Sequence, residues 1–241
     1  MLRGLYSSAA GMVAQQVRLD VLANNLANAA TAGYRADTAV TAALPDLFLY
    51  RFNDALAAFP GAPAGGPAPV GFLGTGAAVA QVATLQRPGP YRETGNPHDF
   101  ALRGPGYFVV NTPQGLRYTR NGAFQVNQNG ELVTGEGDPV LTRAGAVARA
   151  DDPNLAANLA VVDAPPGVVL TKVGDSLYAA PQALAPAAAP VVQGGLEGAN
   201  VEPVEAMVEL ISAMRTYEAG QKAIQTQDQT LDKLLNEVAK V

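Results

Sequence analysis

His98 is the chain's single histidine and the first place to look for acid–base chemistry. It follows Pro97, and nothing pairs it with a Ser or Cys nucleophile, so it reads as a turn residue. Gly74-Thr75-Gly76-Ala77-Ala78-Val79 is a truncated match to a dinucleotide fingerprint. It lacks the third glycine and a following helix, and reads as the start of a strand. Asn127, Asn129 and Glu131 sit at calcium-loop spacing, but an acid at the first position and a distal Glu are missing; a hairpin turn is expected. Asp151-Asp152 reads as a solvated turn. Cysteine is absent, which excludes disulfides, thiolate catalysis and Cys-based metal sites. The expectation is a protein with no catalytic residue, cofactor or metal, and no enzymatic activity.

The strongest patterns lie at the chain ends. Leu210, Tyr217, Ile224, Leu231 and Val238 recur at seven-residue spacing. Met207, Met214 and Leu235 form a second row that also holds Gln221 and Asp228, and Val208 and Ile211 widen the stripe. This predicts a helix from Pro203 to Ala239, packed lengthwise on another helix. Pro203 suits a first turn, and Glu202 and Glu205 put negative charge at the helix start. At ~1.5 Å per residue it would be about 55 Å long, too long for one helix of a compact domain this size. Leu5, Met12, Leu19 and Leu26 repeat the spacing at the other end, which predicts a helix from Arg3 to Ala29 stopped by a left-handed Gly33. The two are expected to zip together. Each outer face would stay wet, so a stripe wider than a two-stranded seam favours further helices from other subunits.

Between the helices the character changes. Leu44, Leu47, Phe48, Arg51, Phe52, Ala55 and Leu56 space like a short helix opened by Pro45, with a bent strand pair as the alternative. Phe59 to Gly71 reads as a Pro/Gly-rich linker or surface loop. From Gly76 the period becomes two. Phe100–Leu102, Tyr107–Val110, Leu116–Tyr118, Phe124–Val126, Leu159–Val162, Val168–Leu170 and Leu177–Tyr178 read as short strands. Gly104-Pro105-Gly106, Asn121-Gly122 and Asn129-Gly130 are expected turns, the Asn-Gly pairs supplying positive φ. Ala183 to Ala189 reads as an Ala/Pro linker. The predicted fold is α+β: N- and C-terminal helices paired as a coiled-coil-like bundle, with a central all-β domain. The expected segments are 1–33 with 197–241 as the helical domain, 34–74 as an extension and 75–193 as the β domain. Net charge is −5 over 241 residues with no basic stripe, which argues against nucleic acid. No run of eighteen apolar residues offers a membrane span, and the broken apolar pattern after Arg3 does not read as a Sec signal peptide.

Ala23-Asn24-Asn25-Leu26-Ala27-Asn28 followed by Thr31-Ala32-Gly33-Tyr34 resembles the N-terminal signature of bacterial flagellar rod and hook proteins. Leu196-Glu197-Gly198-Ala199-Asn200-Val201, then Arg215, Tyr217-Glu218, Lys222-Ala223-Ile224 and Asp228, is similar to the family's C-terminal motif. Gly104–Phe108, Tyr118–Gly122 and Val173–Tyr178 are similar to its β-domain landmarks. The resemblance spans nearly the whole chain and departs at Met214, where many relatives carry Gln. The stretch from Tyr34 to Gly74 looks most like the distal-rod branch, and the opening Met1–Tyr6 like rod paralogues of Gram-positive bacteria.

The resemblance implies a structural rod subunit that polymerises helically through its terminal helices into a hollow shaft. It implies contacts with other rod and hook subunits, and passage through the flagellar type III export apparatus without a cleaved signal to an extracytoplasmic position. The assembly interface expected from the heptads and the motifs together comprises Leu5, Met12, Leu19, Leu26, Asn24, Asn25, Asn28, Met207, Leu210, Ile211, Met214, Arg215, Tyr217, Ile224, Leu231, Leu235 and Val238. The rival reading is a β-rich binding or surface module displayed on a coiled-coil stalk.

Overall fold

The computed structural model describes residues 2–51, 68–165, 168 and 170–238, with backbone alone at residues 2, 3, 51, 68, 69, 237 and 238. The chain divides into two compact units: Met1–Ala23, Asp37–Ala83 and Glu205–Val241 form one; Asn24–Ala36 and Thr84–Val204 form the other. The class is α+β, with an N-terminal helix, a β-rich middle and a C-terminal helix.

Helix α1 spans Leu2–Ala27. It ends at Ala27, two residues before the expected Ala29 and six before Gly33, which has the expected positive φ (66°) but lies in the turn beyond; a side chain there would run into the Arg120 backbone. Strands β1 (Asp37–Ala43), β2 (Leu47–Arg51), β3 (Ala68–Leu73) and β4 (Ala77–Thr84) follow. β1 pairs with β4, and β2 pairs antiparallel with β3. The helix expected from Leu44 is thus a strand over Leu47–Arg51, the alternative of a bent strand pair, and its mate lies in the segment taken for a linker. Aromatic packing decides the matter. The Phe48 ring lies 4.9 Å from Tyr50 and 4.9 Å from Phe72, a contact only a cross-strand register allows. Phe52, Ala55, Leu56 and most of the expected linker lie outside the described residues.

The second unit holds β5 (Tyr91–Glu93), β6 (Phe100–Leu102), β7 (Tyr107–Thr112), β8 (Gly115–Thr119), β9 (Gln125–Val126) and β10 (Leu132–Val133). A single helical turn, α2 (Leu155–Asn158), precedes β11 (Val161–Asp163), β12 (Thr171–Gly174), β13 (Leu177–Ala179), β14 (Ala185–Pro186), β15 (Val191–Gln193) and β16 (Gly195–Glu197). Six of these make an antiparallel sheet in the order β12-β13-β8-β7-β11-β14. β7 runs through its middle and shows why. Phe108 points into one apolar cluster with Phe100, Phe124, Leu132 and Leu159, while Tyr107 and Val109 point into another with Tyr118, Leu170 and Tyr178. Alternation thus feeds two cores from one strand.

Several local expectations change. Ala183–Ala189 is not wholly a linker, because Ala185–Pro186 forms the edge strand β14, where a missing N–H costs no ladder bond. The strand expected at Val168–Leu170 lies later, at Thr171–Gly174. Its hairpin with β13 turns on Asp175 and Ser176, both at positive φ (47° and 59°). Gly130 turns at φ 76° as expected of Asn-Gly, but Gly122 does not. It is small for another reason: a Cβ there would overlap the Phe100 carbonyl oxygen. The Asn127, Asn129, Glu131 pattern is the β9–β10 turn, in which the Asn127 side chain accepts from the Asn129 and Glu131 amides.

α3 spans Pro203–Val238. Its less exposed positions are Ala206, Leu210, Ala213, Tyr217, Gly220, Ile224, Gln227 and Leu231, spaced four and three. The first row expected from the sequence is among them from Leu210 to Leu231. The row beside it is Ala206–Ala213–Gly220–Gln227, one position earlier than Met207–Met214. A Cβ on Gly220 would lie 2.8 Å from Met12 Cγ, and one on Gly4 2.7 Å from Gln227 Nε2. Small residues therefore let α1 and α3 approach closely, running antiparallel at these points. Arg18 and Glu209 meet at 3.8 Å, both about half exposed, a pair worth at most about 1 kcal/mol.

Gly122→Ala should cost on the order of 4 kcal/mol or more, because backbone would have to move. Gly135→Ala, whose Cβ meets nothing within 4 Å, should stay within about 0.5 kcal/mol of the parent. Urea unfolding of the two variants beside the parent checks both.

Candidate assembly surfaces and the junction behind them

The expected assembly residues fall into three environments. Leu5, Met12, Leu19 and Leu26 on α1, and Leu210, Tyr217, Ile224 and Leu231 on α3, are half-buried within the subunit. Met207, Ile211, Met214, Arg215 and Leu235 are exposed; Met207, Ile211 and Met214, together with Val204 (75%) and Val208 (62%), put exposed apolar side chains along the first three turns of α3. Val238 lies in α3, its side chain outside the description.

The Asn cluster splits. Asn24 is exposed and Asn28 half-buried, whereas Asn25 is buried inside the chain. The Tyr34 hydroxyl lies 2.7 Å from Asn24 Oδ1 and 3.0 Å from Asn25 Oδ1, so the end of α1 is held by the residue just after its stop. The Lys172 ammonium covers the Tyr34 ring at 4.3 Å from the centroid and donates to the Arg35 carbonyl at 2.5 Å. Asn24, Asn28, Tyr34, Lys172, Glu136 and Asp175 are among the residues lining an open cleft of ≈ 490 Å³.

Behind this cleft is a polar centre the sequence patterns do not announce. Glu197 at the end of β16 is only 5% exposed, and two guanidiniums close on it: Arg35 Nη2 at 2.8 Å and Arg120 Nε at 2.5 Å. Gly89 N–H donates to the same carboxylate at 2.9 Å. Arg120 also donates to the carbonyls of Leu102, Gly104 and Gly106 at 3.2, 2.6 and 2.5 Å. Arg35 Nη1 donates to the Arg87 carbonyl. Burial pulls the Arg35 pKa below its ordinary value, and the Glu197 charge opposes that pull. Asn200 adds the last stitches: its Oδ1 accepts from Ala36 N–H at 2.6 Å, and its Nδ2 donates to Leu85 and Arg87 carbonyls at 3.0 Å each.

Against known proteins, residues 5–35 match the family described as "Flagella basal body rod protein", and residues 192–237 match "Flagellar basal body rod FlgEFG protein C-terminal". Residues 101–170 match "Flagellar hook protein FlgE/F/G D1 domain". The chain is 30% identical to the flagellar hook-basal body complex protein FlhO of Bacillus subtilis, over 100% of both chains. The chain belongs to the flagellar basal-body rod family. It is also 32% identical to the rod protein FlgG of Bacillus subtilis, over 98% of this chain and 99% of that one. It is 32% identical to the rod protein FlgF of Mesorhizobium japonicum, over 89% and 88%. This is a family of structural flagellar proteins, not of enzymes.

The landmark residues carried by the resemblance now have physical roles. Tyr34, Arg120, Glu197 and Asn200 fall inside the family-matched motifs, and in space they form one hydrogen-bonded centre. Arg35, next to Tyr34, was not singled out by sequence; a charge placed directly after a helix stop was the available signal.

Tyr34→Phe should destabilise the β-rich unit by about 1–3 kcal/mol, because the Asn25 oxygen loses this donor in a buried place. The urea midpoint of the full chain measures it.

Proposed function

We infer that this structural rod protein works by polymerising helically through its terminal helices, the segments 1–33 and 197–241 forming the axial core as a coiled-coil-like bundle around a hollow shaft. Segment 34–74 connects that core in sequence to the β domain of 75–193, which supplies the outer wall. The observation that carries this reading is the exposed apolar row of α3. Val204, Met207, Val208, Ile211 and Met214 are each 47–75% exposed in the single chain. Burying each such side chain gains about 1.5–3 kcal/mol, far more than a solvated helix face has any use for. The partners are copies of itself and other rod and hook subunits, reached after export by the flagellar type III apparatus to a position outside the cytoplasm. Among the described residues, no helix is long and apolar enough to cross a membrane. The protein needs no cofactor and catalyses nothing. The rival, a surface module on a coiled-coil stalk, gains no support from relatives that are rod proteins along their whole length.

The β2–β3 ribbon has a mechanical part in this reading. Phe48, Tyr50 and Phe72 are 42%, 53% and 74% exposed, and a two-stranded ribbon needs cover to be stable. Laid against a neighbouring subunit, it resists the sliding that lets a tube bend.

Ile211→Asp should abolish polymerisation while leaving the thermal transition of the β-rich unit unchanged, because the side chain is 51% exposed in the single chain. Sedimentation against concentration and calorimetry read the two separately; a variant that polymerises normally removes this face from the interface. Replacing Phe48, Tyr50 and Phe72 together by Ser should give tubes of lower persistence length in electron micrographs. Equal stiffness would reduce the ribbon to a passive spacer.

A further inference from the structure

We propose that the polar centre around Glu197 and Asn200 is the mechanical joint of the subunit, binding together every passage of chain between the two compact units. The inference rests on the rod reading above, since a joint matters only in a part that bears load. The chain passes between the units four times, at 23/24, 36/37, 83/84 and 204/205. Each passage is tied on the β-rich side before it leaves. Asn24 and Asn25 accept from the Tyr34 hydroxyl. Ala36 N–H is held by Asn200 Oδ1, and the Ala36 carbonyl accepts from Leu85 N–H at 2.8 Å. Leu85 and Arg87 carbonyls are held by Asn200 Nδ2, and Asn200 N–H reaches the Tyr34 carbonyl at 3.3 Å. Gly33 N–H donates to the Glu197 carbonyl at 2.7 Å. The fourth passage follows directly on Asn200.

Two features separate a joint from ordinary core. None of these residues belongs to either apolar cluster of the sheet. And a centre with two guanidiniums against one carboxylate, all 5% exposed or less, is an expensive way to gain stability, because an apolar filling of that volume would serve as well. What charged, directional bonds add is fixed geometry between segments far apart in sequence. Arg120 then anchors the assembly of ties to the backbone of the β6–β7 loop. Torque applied to one unit is thereby shared by four strands of chain rather than taken by the weakest.

The test is hydrogen exchange on the full chain carrying Asn200→Ala, followed by tube stiffness. Exchange should rise together, by about tenfold or more, at the amides of Gly33, Ala36, Leu85 and Gly89, while Leu132 and Leu141 in the sheet region keep their protection. Tubes built from the variant should lose persistence length. If Asn200→Ala does not fold, Asn200→Asp keeps the acceptor for Ala36 and removes both donors, and should raise exchange at Leu85 and Gly89 while sparing Ala36. A rise at Ala36 alone, a rise spread through the sheet, or unchanged stiffness would overturn the joint. Exchange is read in the unassembled chain, so failure of the parent to form tubes counts against the rod reading without obscuring the coupling result.

Discussion

A carboxylate taken out of water must find its full complement of donors, and Glu197 finds three from three distant parts of the chain. Arg35 comes from just after the first helix, Gly89 from the approach to β5, and Arg120 from the end of β8. That demand organises the surrounding backbone. Arg120, once committed to Glu197, spends its remaining N–H groups on the loop between β6 and β7, which in turn sets where β7 starts. β7 is the strand that feeds both apolar clusters. The polar centre and the apolar core are thus neighbours in one causal sequence, and neither is decoration on the other.

The helices obey a different rule. Along α3 one face is built for closeness, with Ala206, Ala213 and Gly220, and the next for bulk, with Met207, Met214 and Leu235. Where α1 and α3 approach, at Gly4 beside Gln227 and Gly220 beside Met12, the small residue makes room, and the large ones are left exposed. A helix pair that filled its own seam with methionine would have less apolar surface left to offer. Dividing the heptad this way gives the subunit a modest interior and a generous exterior.

Legibility in the sequence followed the range of the interaction. The start of α3 was readable because Pro203 is a local signal, and Phe100–Leu102 was readable because it sits between turns. The β2–β3 ribbon was not. Leu44, Leu47, Phe48 and Arg51 fit a helical period as well as a strand, and the partner strand lies beyond a Pro/Gly-rich stretch that carries no pattern of its own. The inner row of α3 was missed because hydrophobicity favours Met over Ala, whereas distance between backbones favours Ala and Gly. The ties to Glu197 and Asn200 join residues 77 to 166 positions apart, and no periodicity spans that gap. The family resemblance flagged Tyr34, Arg120, Glu197 and Asn200 without saying what they do.

The edges of the six-stranded sheet have a consequence for how such a protein behaves in a crowd. One edge is β14, two residues long, where Pro186 has no N–H to offer. The other is β12, interrupted by a register shift between Lys172 and Gly174. Packed copies of a β-rich chain face a standing hazard of zipping edge to edge into amyloid-like stacks. Here neither edge is a usable template. Edge-to-edge pairing of strands between copies is thereby disfavoured.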